Sequence, residues 1–131
     1  MKSNTIVITV SKQQVIDYAK AIGEQNPVYF SIEAARKLGY RTIPIPPALP
    51  IIFYRFFAIP WGKGKIWIHR SQRFTYKRQL YIDEPYECFI ALEAVKERSG
   101  HSLYEQSLKG YNIRKELCFV CNTILVEGGN A

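Results

Sequence analysis

The stretch PPALPIIFYRFFAI, Pro46–Ile59, decides the fold of this chain. It is the densest apolar run in the sequence, and its only charge is Arg55. Pro50 fits a first helical turn, where a missing N–H costs nothing. Pro60, Gly62 and Gly64 then stop the helix. A helix that is apolar nearly all round has to be buried. The pattern therefore predicts a central buried helix, with the strands after Gly64 long enough to wrap around it.

Those strands read in order. Lys65–Tyr76 is a mixed polar and apolar run. Tyr86–Lys96 alternates, with Tyr86, Cys88, Ile90, Leu92 and Ala94 on one face. His101–Tyr111 follows a tight Ser99-Gly100 turn, and Glu116–Val126 is the last strand. Runs joined by short turns predict an antiparallel meander. The tail Glu127–Ala131 is expected to fray.

Upstream, Thr5–Val10 is β-branched and reads as a first strand. Ser11 caps a helix starting at Lys12, with Val15, Tyr18, Ala19 and Ile22 on its apolar face. Gly23 ends it. The turn GEQNPVYF, Gly23–Phe30, follows, and Asn26 is pushed out of helical geometry by Pro27. Ser31 opens a short helix Ile32–Leu38 that Gly39 closes. An extended proline-rich loop, Tyr40–Pro47, delivers the chain to the central helix. One buried helix with one long antiparallel sheet is an α+β architecture.

A chain of 131 residues fits a single domain, residues 1–131. No apolar run approaches the roughly 20 residues that span a bilayer, and the central run is interrupted by prolines. The N-terminus has no long apolar segment before a small-residue cleavage site, so no signal peptide is expected and the default location is the cytoplasm. The net charge is +7. Lys63, Lys65, Arg70, Arg73, Lys77 and Arg78 fall in one acid-free stretch. That stretch is either a solvated strand face or a patch for a phosphate-bearing or acidic partner. No nucleic-acid motif accompanies it. Cys118 and Cys121 lie three apart in a strand, so they are expected on opposite faces. With Cys88 they read as packed free thiols, and no metal site is expected.

The segment IDYAKAIGEQNPVYFSIEAARKLGYRTIPIPPALP resembles the N-terminal part of MaoC-like dehydratase domains. IHRSQRFTYKRQLYIDEPYECFIALEAV is similar to that family's second signature, with His69 on the first strand after the helix. The resemblance runs from about Thr5 to Val126. It implies a hot-dog fold: a long antiparallel sheet wrapped around a central helix. It also implies hydration of trans-2-enoyl thioesters of coenzyme A or acyl carrier protein, or dehydration of the (R)-3-hydroxyacyl forms. No cofactor beyond the thioester carrier is implied.

The family's motif is G-D-x-N-P-x-H, whose Asp and His act on one water. A Gly before the central helix gives its N–H to the thioester carbonyl, where negative charge develops. This sequence departs at all three places. Glu24 replaces the Asp with one more methylene. Tyr29 replaces the His, and a phenol titrates near 10 against roughly 6.5 for imidazole. Pro47 replaces the donor Gly and has no N–H.

The resemblance is therefore to the degenerate type of hot dog, which binds an acyl thioester beside a catalytic hot-dog partner. Asn26, Pro47, Ala48, Arg73 and Arg78 are the expected substrate-binding residues, and Glu24 and Tyr29 the candidate catalytic pair. Dimerisation is expected, with a second copy or with a catalytic partner. Nucleic acid and membrane are not expected partners. An active hydratase using Glu24 and Tyr29 is the alternative, and a thioesterase a further one. His69 reads as structural or dimer-contacting, and His101 as a turn residue.

Overall fold

Ser11 starts the first helix, α1 (Lys12–Ala21), with both halves of a capping box. Its Oγ accepts from Gln14 N at 3.1 Å, and Gln14 Oε1 accepts from Ser11 N at 2.8 Å. Val15 and Ala19 are buried and Tyr18 half-buried. Ile22, expected on the same face, is exposed, because the helix has already ended. Gly23 at φ 74° turns the chain away. Ser31 Oγ accepts from Ala34 N at 3.2 Å and opens α2 (Ile32–Lys37).

The computed structural model describes residues 1–62 and 65–128. Its strands are β1 (Ile6–Ile8), β2 (Trp67–Tyr76), β3 (Tyr86–Arg98), β4 (His101–Tyr111) and β5 (Leu117–Glu127). They form one antiparallel sheet in the order β1-β3-β4-β5-β2. The α+β architecture is as the sequence predicts. The simple meander is not: only β3, β4 and β5 follow one another, while β2 pairs with β5 at the far edge. The segment after β2 crosses back to β3 by pairing with the proline-rich loop. Ile45 N donates to Leu80 O at 2.9 Å and Ile82 N to Ile43 O at 3.2 Å. All four side chains are buried, which makes the crossing part of the core.

The central segment Leu49–Phe56 is a 3-10 helix. Leu49, Phe53 and Phe57 point into the core, but Arg55 and Phe56 are exposed. The expected burial all round is thus corrected to burial on one side, because a helix of two to three turns lies over a single sheet. Phe53 meets Phe119 of β5 edge-on, with centroids 6.1 Å apart. Beneath the helix sits a polar island. Trp61 Nε1 donates to Gln106 Oε1 at 2.9 Å, and Tyr54 OH donates to Cys121 O at 3.1 Å.

Three bulges break the pleat. One extra residue stands at Arg70 in β2, at Glu93 in β3 and at Cys118 in β5. The bulge at Glu93 takes Ala94 off the face of Tyr86, Cys88 and Ile90. The bulge at Cys118 overturns the expectation that Cys118 and Cys121 face opposite ways: both are buried. Among the described residues no group of side chains is arranged to hold a metal ion, and no helix is long and apolar enough to cross a membrane. Glu127 closes β5, and Gly128 N donates to Ile66 O at 2.6 Å. The expected frayed tail therefore does not begin at Glu127, and its last positions, 129–131, lie outside the described residues.

Candidate functional site

The turn after α1 is built by its own polar side chains. Asn26 caps the 3-10 helix Pro27–Tyr29, its Oδ1 accepting from Val28 N at 3.2 Å. Glu24 N donates to Ala19 O at 2.8 Å, which ties the turn to α1. The Glu24 carboxylate folds back on the same turn. Its Oε1 accepts from Gln25 N at 3.1 Å and from Asn26 N at 2.9 Å. Glu24 lines an open cleft with Lys20, Gly23, Gln25 and Phe30.

Tyr29 is half-buried against the core and does not line that cleft. Burial pushes its phenol above the ordinary value, and the Glu24 carboxylate, Tyr40 and Tyr18 add to the effect. Glu24 and Tyr29 are therefore close enough to interact electrostatically, without a direct hydrogen bond among those described. A phenol held in this way keeps its proton at neutral pH. It can donate a hydrogen bond but cannot act as a base.

Pro47 and Ala48 lie exposed at the start of the central 3-10 helix. Pro47 offers only its carbonyl, and that carbonyl accepts a hydrogen bond from Tyr76 OH at the end of β2. Pro47 and Tyr76 line a cleft of about 310 Å³ with Ile45, Lys77, Arg78 and Gln79. Burial raises the Tyr76 phenol far above its ordinary value, and Cys121 and Tyr18 contribute further. Tyr18, itself raised by burial, thus lies electrostatically within reach of both Tyr29 and Tyr76.

Arg78 also lines a second cleft of about 410 Å³ that includes Arg41, Glu84, Arg114 and Glu116. Arg78 pairs there with Glu116 and Arg41 with Glu84. Arg73 stands opposite Asn122 in the middle of β2 and lines neither cleft. The two arginines expected to share one binding patch are thus separated, because β2 alternates and then ends between them. His69 is exposed on edge strand β2, and His101 is the first residue of β4.

Sequence reading missed Tyr76 and Tyr18. Tyr76 is 29 positions from the carbonyl it meets, so no local spacing points to it. Only the pairing of β2 with β5 carries it to the helix start.

Residues 1–113 match the family described as FAS1-like, dehydratase domain region. A UPF0336 protein from Leifsonia xyli is 28% identical over 102 residues, covering 72% of this chain and 68% of that protein. Among solved structures, the truncated HadBC (3R-hydroxyacyl-ACP dehydratase) complex from Mycobacterium tuberculosis superposes with a TM-score of 0.87. Identity there is 22%, over 96% of this chain and 94% of that one. A MaoC-like dehydratase from Rhodospirillum rubrum gives a TM-score of 0.78 at 12% identity, over 100% and 92% of the two chains. The fold is the hot dog that the sequence resemblance implied.

Proposed function

The chain belongs to the FAS1-like dehydratase-region family, and from that premise we propose that it is a hot-dog subunit that binds acyl thioesters of coenzyme A or acyl carrier protein without catalysing alone. The Glu24 carboxylate carries the reading. Hydration of an enoyl thioester needs one group to take a proton from water and another to return one. One oxygen of Glu24 already accepts two N–H groups of its own turn. Tyr29, where the family's imidazole would stand, holds its proton, and Pro47 presents an acceptor where the family has a donor.

The catalytic pair would then come from a second hot-dog chain. The similarity to a chain of the HadBC complex supports such a partner. So does β2, a ten-residue strand at the sheet edge with one side unpaired among the described residues. The clefts that hold Tyr76, Lys77, Arg78 and Arg41 have the cations that a phosphate-bearing carrier needs.

The test has two arms. Butyryl-CoA, which cannot be hydrated, should bind the purified protein in a calorimetric titration. Crotonyl-CoA should not be hydrated by the protein alone, and addition of a catalytic hot-dog subunit should start turnover. Turnover by the protein alone that disappears in Glu24→Gln would replace this reading with the active-hydratase alternative.

A further inference from the structure

We propose that the Tyr76 hydroxyl donates the hydrogen bond that holds a bound thioester's carbonyl oxygen, in place of the N–H that Pro47 lacks. The inference rests on the acyl-thioester reading above and names the group that would grip the ligand.

At the start of the central 3-10 helix, Ala48 N is the one backbone donor that competes for a ligand among the described residues around Pro47. Pro47 has no N–H, and Leu49 N already donates to Pro46 O at 3.0 Å. Among the described residues that line this cleft, Tyr76 alone carries a hydroxyl, and it donates to the Pro47 carbonyl. Its ring is held in place. It stacks on Phe74 at 6.0 Å between centroids with the planes 9° apart, and it leans on Phe119 at 6.3 Å. The oxygen is therefore fixed while the proton can turn about the C–O bond. Turning it from Pro47 O to a ligand carbonyl exchanges one acceptor for another. Pro47 is exposed, so water can satisfy the carbonyl that is released.

Tyr76 is 37% exposed, but a phenol keeps its proton across the physiological range even unshifted, and its partial burial raises it further, so the donor proton is present. The same cleft supplies Lys77 and Arg78. A ligand whose carbonyl lies at Tyr76 would thus have cations beside it for the phosphates of its carrier.

The experiment uses butyryl-CoA carrying carbon-13 at the thioester carbonyl, with affinity measured by calorimetry and the carbonyl stretch by infrared difference spectroscopy. In the wild-type complex the band should lie below that of the free thioester, as a hydrogen-bonded carbonyl requires. Tyr76→Phe should weaken binding about three- to tenfold, the range for one net hydrogen bond, and move the band back towards the free position. Adding Pro47→Gly to Tyr76→Phe restores a backbone N–H and should return part of the shift.

A wild-type band at the free position overturns the proposal without any variant. So does an unchanged affinity and band in Tyr76→Phe, the result expected if Ala48 N–H were the donor. Failure of the wild type to bind butyryl-CoA at all would remove the thioester reading itself, and this inference with it. Binding that is insensitive to Tyr76→Phe removes the inference alone.

Discussion

Gly110 shows how one missing side chain permits the core. It sits in β4 between Cys88 of β3 and Phe119 of β5. A Cβ built there would run into the Phe119 ring, which is fully buried and packed edge-on against Phe53. The ring cannot swing away without opening the seat of the central helix. Gly110→Ala should therefore destabilise the protein by about 1–3 kcal/mol, the usual cost of overpacking. Denaturant unfolding would read this as a lower midpoint at similar slope, and an unchanged midpoint would contradict it. The same scale governs the candidate site. Glu24, Tyr29 and Pro47 were legible as departures from the family motif, because each is a change of residue type at a local spacing. What the Glu24 carboxylate binds was not legible. Its acceptance of the Gln25 and Asn26 N–H groups depends on turn geometry that spacing does not specify.

At the scale of elements, the helices were easy to read and the strands were not. α1 and α2 start where Ser11 and Ser31 predict, because caps are local interactions within three residues. The Ser99-Gly100 turn was equally local, with φ of 51° and 80°. The bulges at Arg70, Glu93 and Cys118 depend on partner strands, so alternation alone placed Cys118 on the wrong face. The central segment was correctly placed as an apolar helix, but its pitch and its exposed side were set by the sheet below. The 3-10 turn that follows it, Pro60–Gly62, is held to the sheet by the buried bond from Trp61 to Gln106. Trp61→Phe would leave the Gln106 amide oxygen buried without that donor, at a cost of about 1–3 kcal/mol beyond lost packing. Gln106→Leu in the same chain should recover part of that loss, since both polar partners are then gone. A double-mutant cycle in urea measures the coupling, and strictly additive losses would mean the bond is energetically silent.

For the whole molecule, the decisive fact is which strands form the edges of the sheet. β1 is only three residues long, and the chain before it continues along β3: Leu92 N donates to Met1 O at 2.9 Å and Ser3 N to Ile90 O at 2.7 Å. Among the described residues β2 has no such cover. Apart from the bulged Arg70, its residues pair with β5 on one side only, and a long open edge invites another strand. This was invisible in the sequence, where β2 reads as the neighbour of β3. If the edge joins a second hot dog, proline should separate folding from assembly. Successive residues of an antiparallel strand send their N–H groups alternately to the two sides. Gln72 and Arg73 stand opposite Thr123 and Asn122, so one of the two donates to β5 and the other points outward. Gln72→Pro and Arg73→Pro should therefore behave oppositely. One should lower the thermal midpoint by removing a ladder bond. The other should keep the fold and yield a monomer by light scattering, whether the wild type pairs with itself or with a catalytic partner. Two variants that both fold and both stay assembled would show that the partner does not join at β2. The interface would then have to be sought on the exposed side of the central helix, at Arg55 and Phe56.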